Sequence, residues 1–132
     1  MKRVCLTVLG AAFLFSVGCF GGDKSGTFPV KGTVTYDGKP VPVGFVTFSP
    51  DYEQGNSGPG GGAPIKDGKF ETETGKGVVG GAYEVRIVGY TGQRTTESGE
   101  ELQDGPPLFP AYTTTMEFPQ EASTQDFVIP TK

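Results

Sequence analysis

Hydrophobic and polar residues alternate along much of this chain, and the period is two. Val30, Gly32, Val34 and Tyr36 alternate with Lys31, Thr33 and Thr35. Successive side chains of an extended backbone point to opposite faces, so this pattern predicts a half-buried strand. Asp37-Gly38-Lys39-Pro40 closes it as a turn, with Gly supplying positive φ and Pro stopping further pairing. A second strand is predicted over 45–48, with Val46 and Phe48 on one face, and Ser49-Pro50 ends it. Ile65 to Phe70 reads as a tight hairpin about Asp67-Gly68. Phe70, Thr72 and Thr74 then share a face, and 75–81 predicts another turn region. Tyr83, Val85 and Ile87 alternate with Glu84 and Arg86 in the clearest strand of the chain. Strands over 114–118 and 126–129 are expected to point Met116, Phe118, Phe127 and Ile129 inward, with 108–112 packing back on the core.

Two stretches have no period. Residues 51–64 are polar and carry Gly58-Pro59-Gly60-Gly61-Gly62, which reads as a mobile surface connection. Residues 92–107 carry Glu97, Glu100, Glu101 and Asp104 and read as a second long loop. No amphipathic helix is predicted after residue 20. About seven short strands, with turn signals at roughly eight- to twelve-residue spacing, point to an all-β sandwich.

The first twenty residues follow a different pattern. Lys2 and Arg3 precede an almost wholly apolar or small run from Val4 to Val17, then Gly18-Cys19. A positive start, a short apolar run and a small-residue exit describe a secretory signal. A transmembrane helix needs about twenty apolar residues, more than this run supplies. Ser16-Val17-Gly18-Cys19 resembles a lipobox, in which the Cys19 thiol takes a diacylglyceryl group and Cys19 becomes the first residue. It departs from the usual pattern at Ser16, where an aliphatic residue is common. In the competing reading, Ser16 and Gly18 are the small pair of an ordinary signal peptidase site, and the product is soluble. The lone Cys at the exit favours lipidation. The expected organisation is a signal peptide over 1–18, a flexible tether over 19–27 and a β-sandwich domain over 28–132. Phe20 stands where an Asp would retain a proteobacterial lipoprotein at the inner membrane, so outer-membrane delivery is expected.

Composition narrows the chemistry. The 132 residues allow one domain. Gly 22 and Pro 11 fit a strand-and-turn protein, since they punctuate runs of Val, Ile, Phe and Tyr. The net charge is −4; loss of 1–18 removes Lys2 and Arg3 and leaves nine basic against fifteen acidic residues, or −6. An acidic surface without a basic run argues against nucleic acid and against electrostatic docking on anionic lipid. A membrane link must then be covalent or hydrophobic, through Cys19. The chain has no His, which removes the commonest general base and metal ligand. Cys5 lies in the leading segment, so processing leaves Cys19 alone and no intrachain disulfide.

Candidate reactive groups are sparse. Ser25 beside Lys24, and Ser98 without a nearby Lys, do not make a nucleophile–base pair. Glu71 and Glu73 fall on one strand face, the arrangement a glycosidase needs, but solvated outer positions explain them. The 97–104 acidic run and Asp51-Tyr52-Glu53-Gln54-Gly55-Asn56 offer oxygen ligands for Ca²⁺ without the spacing of a calcium loop. The 58–62 glycines have neither the Lys-Ser/Thr ending nor the helix of a phosphate cradle. Tyr52, Tyr90, Phe109 and Tyr112 are candidates for a sugar-stacking platform, against core or edge packing. No catalytic, cofactor-binding or metal residue is assigned.

Val30-Lys31-Gly32-Thr33-Val34-Thr35-Tyr36-Asp37-Gly38-Lys39-Pro40-Val41 resembles the opening of carboxypeptidase regulatory-like domains. The likeness continues, in order, through Gly44-Phe45-Val46-Thr47-Phe48, Asp67-Gly68-Lys69-Phe70, Gly81-Ala82-Tyr83-Glu84-Val85 and Phe109-Pro110-Ala111-Tyr112. The ordered set is similar to the small lipoproteins with such domains found in planctomycete bacteria. The resemblance implies a seven-stranded, transthyretin-like Greek-key β-sandwich and no activity, since these domains are accessory modules. It supplies framework positions and no binding residue. Phe45 departs from the usual Ala and puts an aromatic on the outer face. The expectation is a lipid-anchored, non-enzymatic envelope protein that is structural or binds another envelope protein; the alternative is a polysaccharide- or calcium-binding module.

Overall fold

The structure is a computed structural model that describes residues 26–131. The expected signal segment and Cys19 lie outside the described residues.

The fold is all-β. Ten strands run in chain order: β1 (Val30–Tyr36), β2 (Lys39–Pro40), β3 (Val43–Pro50), β4 (Gly61–Lys66), β5 (Lys69–Glu71), β6 (Gly81–Tyr90), β7 (Thr95–Glu97), β8 (Glu100–Leu102), β9 (Tyr112–Phe118) and β10 (Ser123–Ile129). The described residues include no α-helix, only a single 3-10 turn at Tyr52–Gln54. The main sheet has the order β10-β1-β5-β4-β3-β6-β9, with β2 paired to β1, and β7-β8 form a separate ribbon. Every pair is antiparallel except β1 with β10, which run parallel from Val30 opposite Ser123 to Tyr36 opposite Ile129.

Local chemistry sets the turns. Asp37-Gly38, Asp67-Gly68 and Ser98-Gly99 all have positive φ at both residues, the requirement of a two-residue type I′ hairpin, whose twist matches that of its strands. Asp67-Gly68 was legible as a hairpin; Asp37-Gly38 was legible as a turn, but Pro40, expected to stop pairing, lies in β2 opposite Thr35. The third converts the expected loop over 92–107 into the β7-β8 hairpin. The 51–64 region also departs from expectation. Gly61 to Pro64 belong to β4 and pair with β3, Ala63 opposite Val46 and Gly62 opposite Thr47. Glycine suits this strand because the Phe45 ring lies across Gly62, where a Cβ would stand only 2.8 Å from ring carbon Cε1. Phe45 therefore sits on the outer face, 43% exposed, over a glycine floor.

The sheet curls so that its two ends meet around one core. Alternate residues of β1, β3, β6, β9 and β10 point inward, and Val34, Val46, Phe48, Tyr83, Val85 and Ile87 are fully buried. Rings link the two ends. Phe127 packs at 5.9 Å from Phe70, Phe70 at 6.4 Å from Phe48, and Phe48 edge-on at 5.4 Å from Phe118, which meets Tyr83 at 5.6 Å. Such tilted and edge-to-face pairs add about 0.5–1.5 kcal/mol each beyond the burial of their area. Thr27, the last residue of the expected tether, is buried, and Phe28 exchanges backbone hydrogen bonds with Val78.

Candidate binding surfaces

A cleft opens where the ends of β1 and β10 face the start of β9. Tyr36, Tyr112, Pro110, Ile129, Asp37 and Thr131 are among its walls, and it encloses about 660 Å³. Its shape follows from the segment after the β7-β8 ribbon. Tyr90 bridges to Pro107, and Leu108 N–H donates to the Gly89 carbonyl at 2.9 Å. The chain then turns Phe109 into the core, against Gly89, whose missing Cβ leaves room for the ring. The Phe109 ring lies 5.0 Å from Tyr36 at a 45° tilt, which fixes the Tyr36 ring beside the opening. Tyr36 and Tyr112 are half-buried, and Asp37 is exposed. Aromatic faces flanked by a carboxylate and threonine hydroxyls can hold a ligand with one apolar face and several hydroxyls.

The four aromatics expected as a platform do not form one surface. Tyr52 is 71% exposed on the 3-10 turn, and Phe109 is a core residue. Tyr90 lies on the outer face of β6, whereas Tyr112 points inward from β9 and packs against the core. Sequence reasoning missed Tyr36 as a wall of the cleft. Its signal was its place as the last inward position of the β1 alternation, where a large side chain outruns the sheet.

A second, shallower groove lies on the outer face of β10, β1, β5 and β4, and holds about 610 Å³. Lys31, Lys66 and Lys69 line it with Asp67, Glu71 and Asp126, so its charges balance. The Asp126 carboxylate accepts hydrogen bonds from the Thr33 N–H at 3.2 Å and hydroxyl at 2.8 Å, which occupies it across the β1-β10 pair. Glu71 and Glu73 are both exposed, as expected of solvated outer positions.

The loop before β4 is tied down, in contrast to the mobile connection expected there. Asp51 accepts from Glu53 N–H at 3.1 Å, and Asn56 Oδ1 accepts from Gly58 N–H at 3.0 Å. Asn56 Nδ2 donates to the Ala82 and Gly80 carbonyls at 2.8 and 3.3 Å. The Tyr83 hydroxyl accepts from Val79 N–H at 3.0 Å and donates to the Pro59 carbonyl at 3.3 Å. Side-chain oxygens that looked available to a cation thus bond the backbone and clamp the glycine run onto the start of β6. In the β7-β8 ribbon, Arg94 pairs with Glu101 at 3.1 Å and donates to Gln103 at 2.7 Å. Both charged groups are more than half exposed, so the pair contributes about 0–1 kcal/mol at most. Among the described residues, no three carboxylate or thiol groups gather as a metal site. Ser98 occupies the β7-β8 turn, and Ser25 lies outside the described residues.

Compared with protein-family models, with curated proteins and with solved structures, the chain matches none.

Proposed function

We propose that this protein is a lipid-anchored, non-enzymatic module of the bacterial cell envelope. Residues 1–18 act as its signal peptide, Cys19 carries the lipid, and a Greek-key β-sandwich of the transthyretin-like, carboxypeptidase regulatory-like kind is displayed beyond it. The domain is structural or binds another envelope protein, and with no retaining Asp at residue 20 it is delivered to the outer membrane. The observation that carries this reading is Cys19, alone at the exit of an apolar run that follows two basic residues. A second feature supports the absence of catalysis: the chain has no His. Its described carboxylates are exposed outer-face groups or hydrogen-bonded to backbone and threonine. Three acyl chains hold a protein on a membrane stably, at about 0.8 kcal/mol per buried CH₂.

Intact mass of the protein from native membranes tests it. The expected mass is that of a chain starting at Cys19 plus a diacylglyceryl and a fatty-acyl group. Cys19→Ala is expected to lose both groups and the membrane association. An unmodified soluble chain starting at or near Cys19 overturns the reading.

The cleft beside Tyr36 and Tyr112 favours a second reading, in which the displayed module holds a polysaccharide. Stacking of a sugar on the part of the Tyr112 ring that lines the cleft is lost when the ring is removed. Tyr112→Ala is therefore expected to weaken binding about tenfold in calorimetry with envelope polysaccharides, taking roughly 1.4 kcal/mol for the lost aromatic contact. Absence of heat with any polysaccharide in the unsubstituted protein ends this reading.

A further inference from the structure

The last strand of the β4-β3-β6-β9 half leaves one side without a partner. β9 pairs residue for residue with β6, from Gly81 opposite Phe118 to Ile87 opposite Tyr112, and no strand follows it in the sheet. No turn or loop backbone among the described residues hydrogen-bonds to Tyr112–Phe118. Half of the strand's N–H and C=O groups therefore face outward in a row.

Natural sheets guard such edges with lysine, internal proline, bulges or short strands. β9 has none of these. It is seven residues long, pairs with β6 without a bulge, and reads Tyr-Thr-Thr-Thr-Met-Glu-Phe. Pro110 and Pro119 stand outside it, one near each end, and Glu117 is its one charge. Three consecutive threonines and two flanking aromatics favour extended backbone.

We propose that β9 docks a second copy of this chain, antiparallel, across a two-fold axis at Thr115. An isologous contact uses the same patch twice, so the strand must be complementary to itself. About Thr115 it is. Tyr112 falls opposite Phe118 of the second copy, Thr114 opposite Met116, and Thr115 opposite Thr115. Glu117 meets Thr113, never another carboxylate. Thr–Thr pairs are favourable cross-strand neighbours, while the aromatic positions stay on the core face of each copy. The other free strand, β10, fails this test. Its centre is Asp126, so the same operation sets two carboxylates directly opposite, which is destabilising. Full seven-residue overlap places the axis at Thr115 in β9 and at Asp126 in β10, and at that overlap the charge pattern favours β9. The contact joins the two sheets edge to edge and brings the second copy beside Tyr112 and Thr113, which also line the Tyr36 cleft. It goes beyond the lipid-anchor reading and does not depend on it.

Cysteine cross-linking of the full chain, in whichever of the membrane or soluble fractions holds it, tests it. Cross-strand Cβ atoms lie about 4.5–5.5 Å apart, close to what a disulfide spans after small adjustment. Thr115→Cys is expected to give a disulfide dimer of doubled mass in most molecules under mild oxidant. Adding Thr113→Lys, which sets an ammonium opposite Glu117, is expected to raise the yield at least twofold under limiting oxidant. Val128→Cys, 74% exposed on β10, is expected to stay monomeric. Sedimentation of the detergent-solubilised chain should show two copies per particle, falling to one in Thr115→Lys. The inference is overturned if Thr115→Cys gives no dimer, if Val128→Cys cross-links as well, or if the adducts join a different protein. A disulfide dimer of the unsubstituted chain reports a free Cys5 or Cys19 thiol and overturns the lipid reading instead.

Discussion

Replacement of Phe48 by alanine is expected to destabilise the domain by about 3–5 kcal/mol, the usual range for deleting a buried phenylalanine ring. Phe48 is fully buried in the middle of β3, the strand between β4 and β6. Its ring contacts Phe70 of β5 on one side and Phe118 of the edge strand β9 on the other. Alanine leaves a cavity in the middle of the ring chain that links Phe127 to Phe118. Neither neighbour can close it cheaply, because Phe70 is also packed on Phe127 and Phe118 on Tyr83. For a domain of this size each kcal/mol lowers Tm by about 4–8 °C, so a fall of at least roughly 12 °C is expected in a thermal melt. Phe45→Ala, three residues earlier and 43% exposed, is the matched control. It opens no interior space and should change stability by less than about 1.5 kcal/mol. Equal effects at the two positions would mean that the inward and outward faces of β3 are misassigned.

The strands that could be read in the sequence are those that follow the simplest rule. Val30 to Tyr36 and Tyr83 to Ile87 alternate cleanly because one face meets the core and the other meets water. Asp67-Gly68 was legible because few dipeptides tolerate two successive positive φ values. The first half of β4 was missed for a physical reason. Gly61, Gly62 and Pro64 have no strand propensity of their own, and only tertiary context makes them a strand. Phe45 supplies a cover for Gly62. Pro64 is tolerated because the β4-β5 pairing covers only Ile65 and Lys66, so its missing N–H faces no ladder. The β7-β8 ribbon was missed because its strands, Thr-Thr-Glu and Glu-Glu-Leu, have no apolar face, although Ser98-Gly99 was a turn signal.

The candidate cleft was half legible. Phe109 and Tyr112 stood out as aromatics, but their roles separated only when the backbone turned at Leu108 and sent one ring into the core. Tyr36 joined them through the β1-β10 pairing, which links residues about ninety positions apart and leaves no local trace. The hydrogen bonds of Asn56 and Tyr83 were equally hidden. Each side chain reaches a backbone group more than twenty residues away, and polar composition alone made their loop look free.

That distant parallel pairing makes the second large prediction, Gly32→Ala, a test of sign. In an ordinary strand, alanine is more stable than glycine by about 0.5–1 kcal/mol, because glycine loses more backbone freedom on folding. Here the reverse is expected. Gly32 lies between Gln125 of β10 and Phe70 of β5. A Cβ at this position would fall inside contact distance of the Gln125 carbonyl oxygen and carbon. Those are backbone atoms within a ladder, so no side-chain rotation relieves the clash. β10 must move off β1, which loosens Phe127 and Ile129 in the core and the Thr33–Asp126 hydrogen bonds on the outer face. Overpacking of this kind costs about 1–3 kcal/mol, and the lost pairing places this case at the upper end. Chemical denaturation should therefore show a loss of about 2–3 kcal/mol. Amide exchange should locate it, with protection falling across 123–129 while the β3-β6 amides stay protected under mild conditions. The pairing with Gln125 explains why glycine occupies an inward position of an otherwise valine-rich strand: the space a side chain would fill is taken by the neighbouring backbone. A stabilised or unchanged Gly32→Ala protein would show that β10 does not sit on β1 in this parallel register.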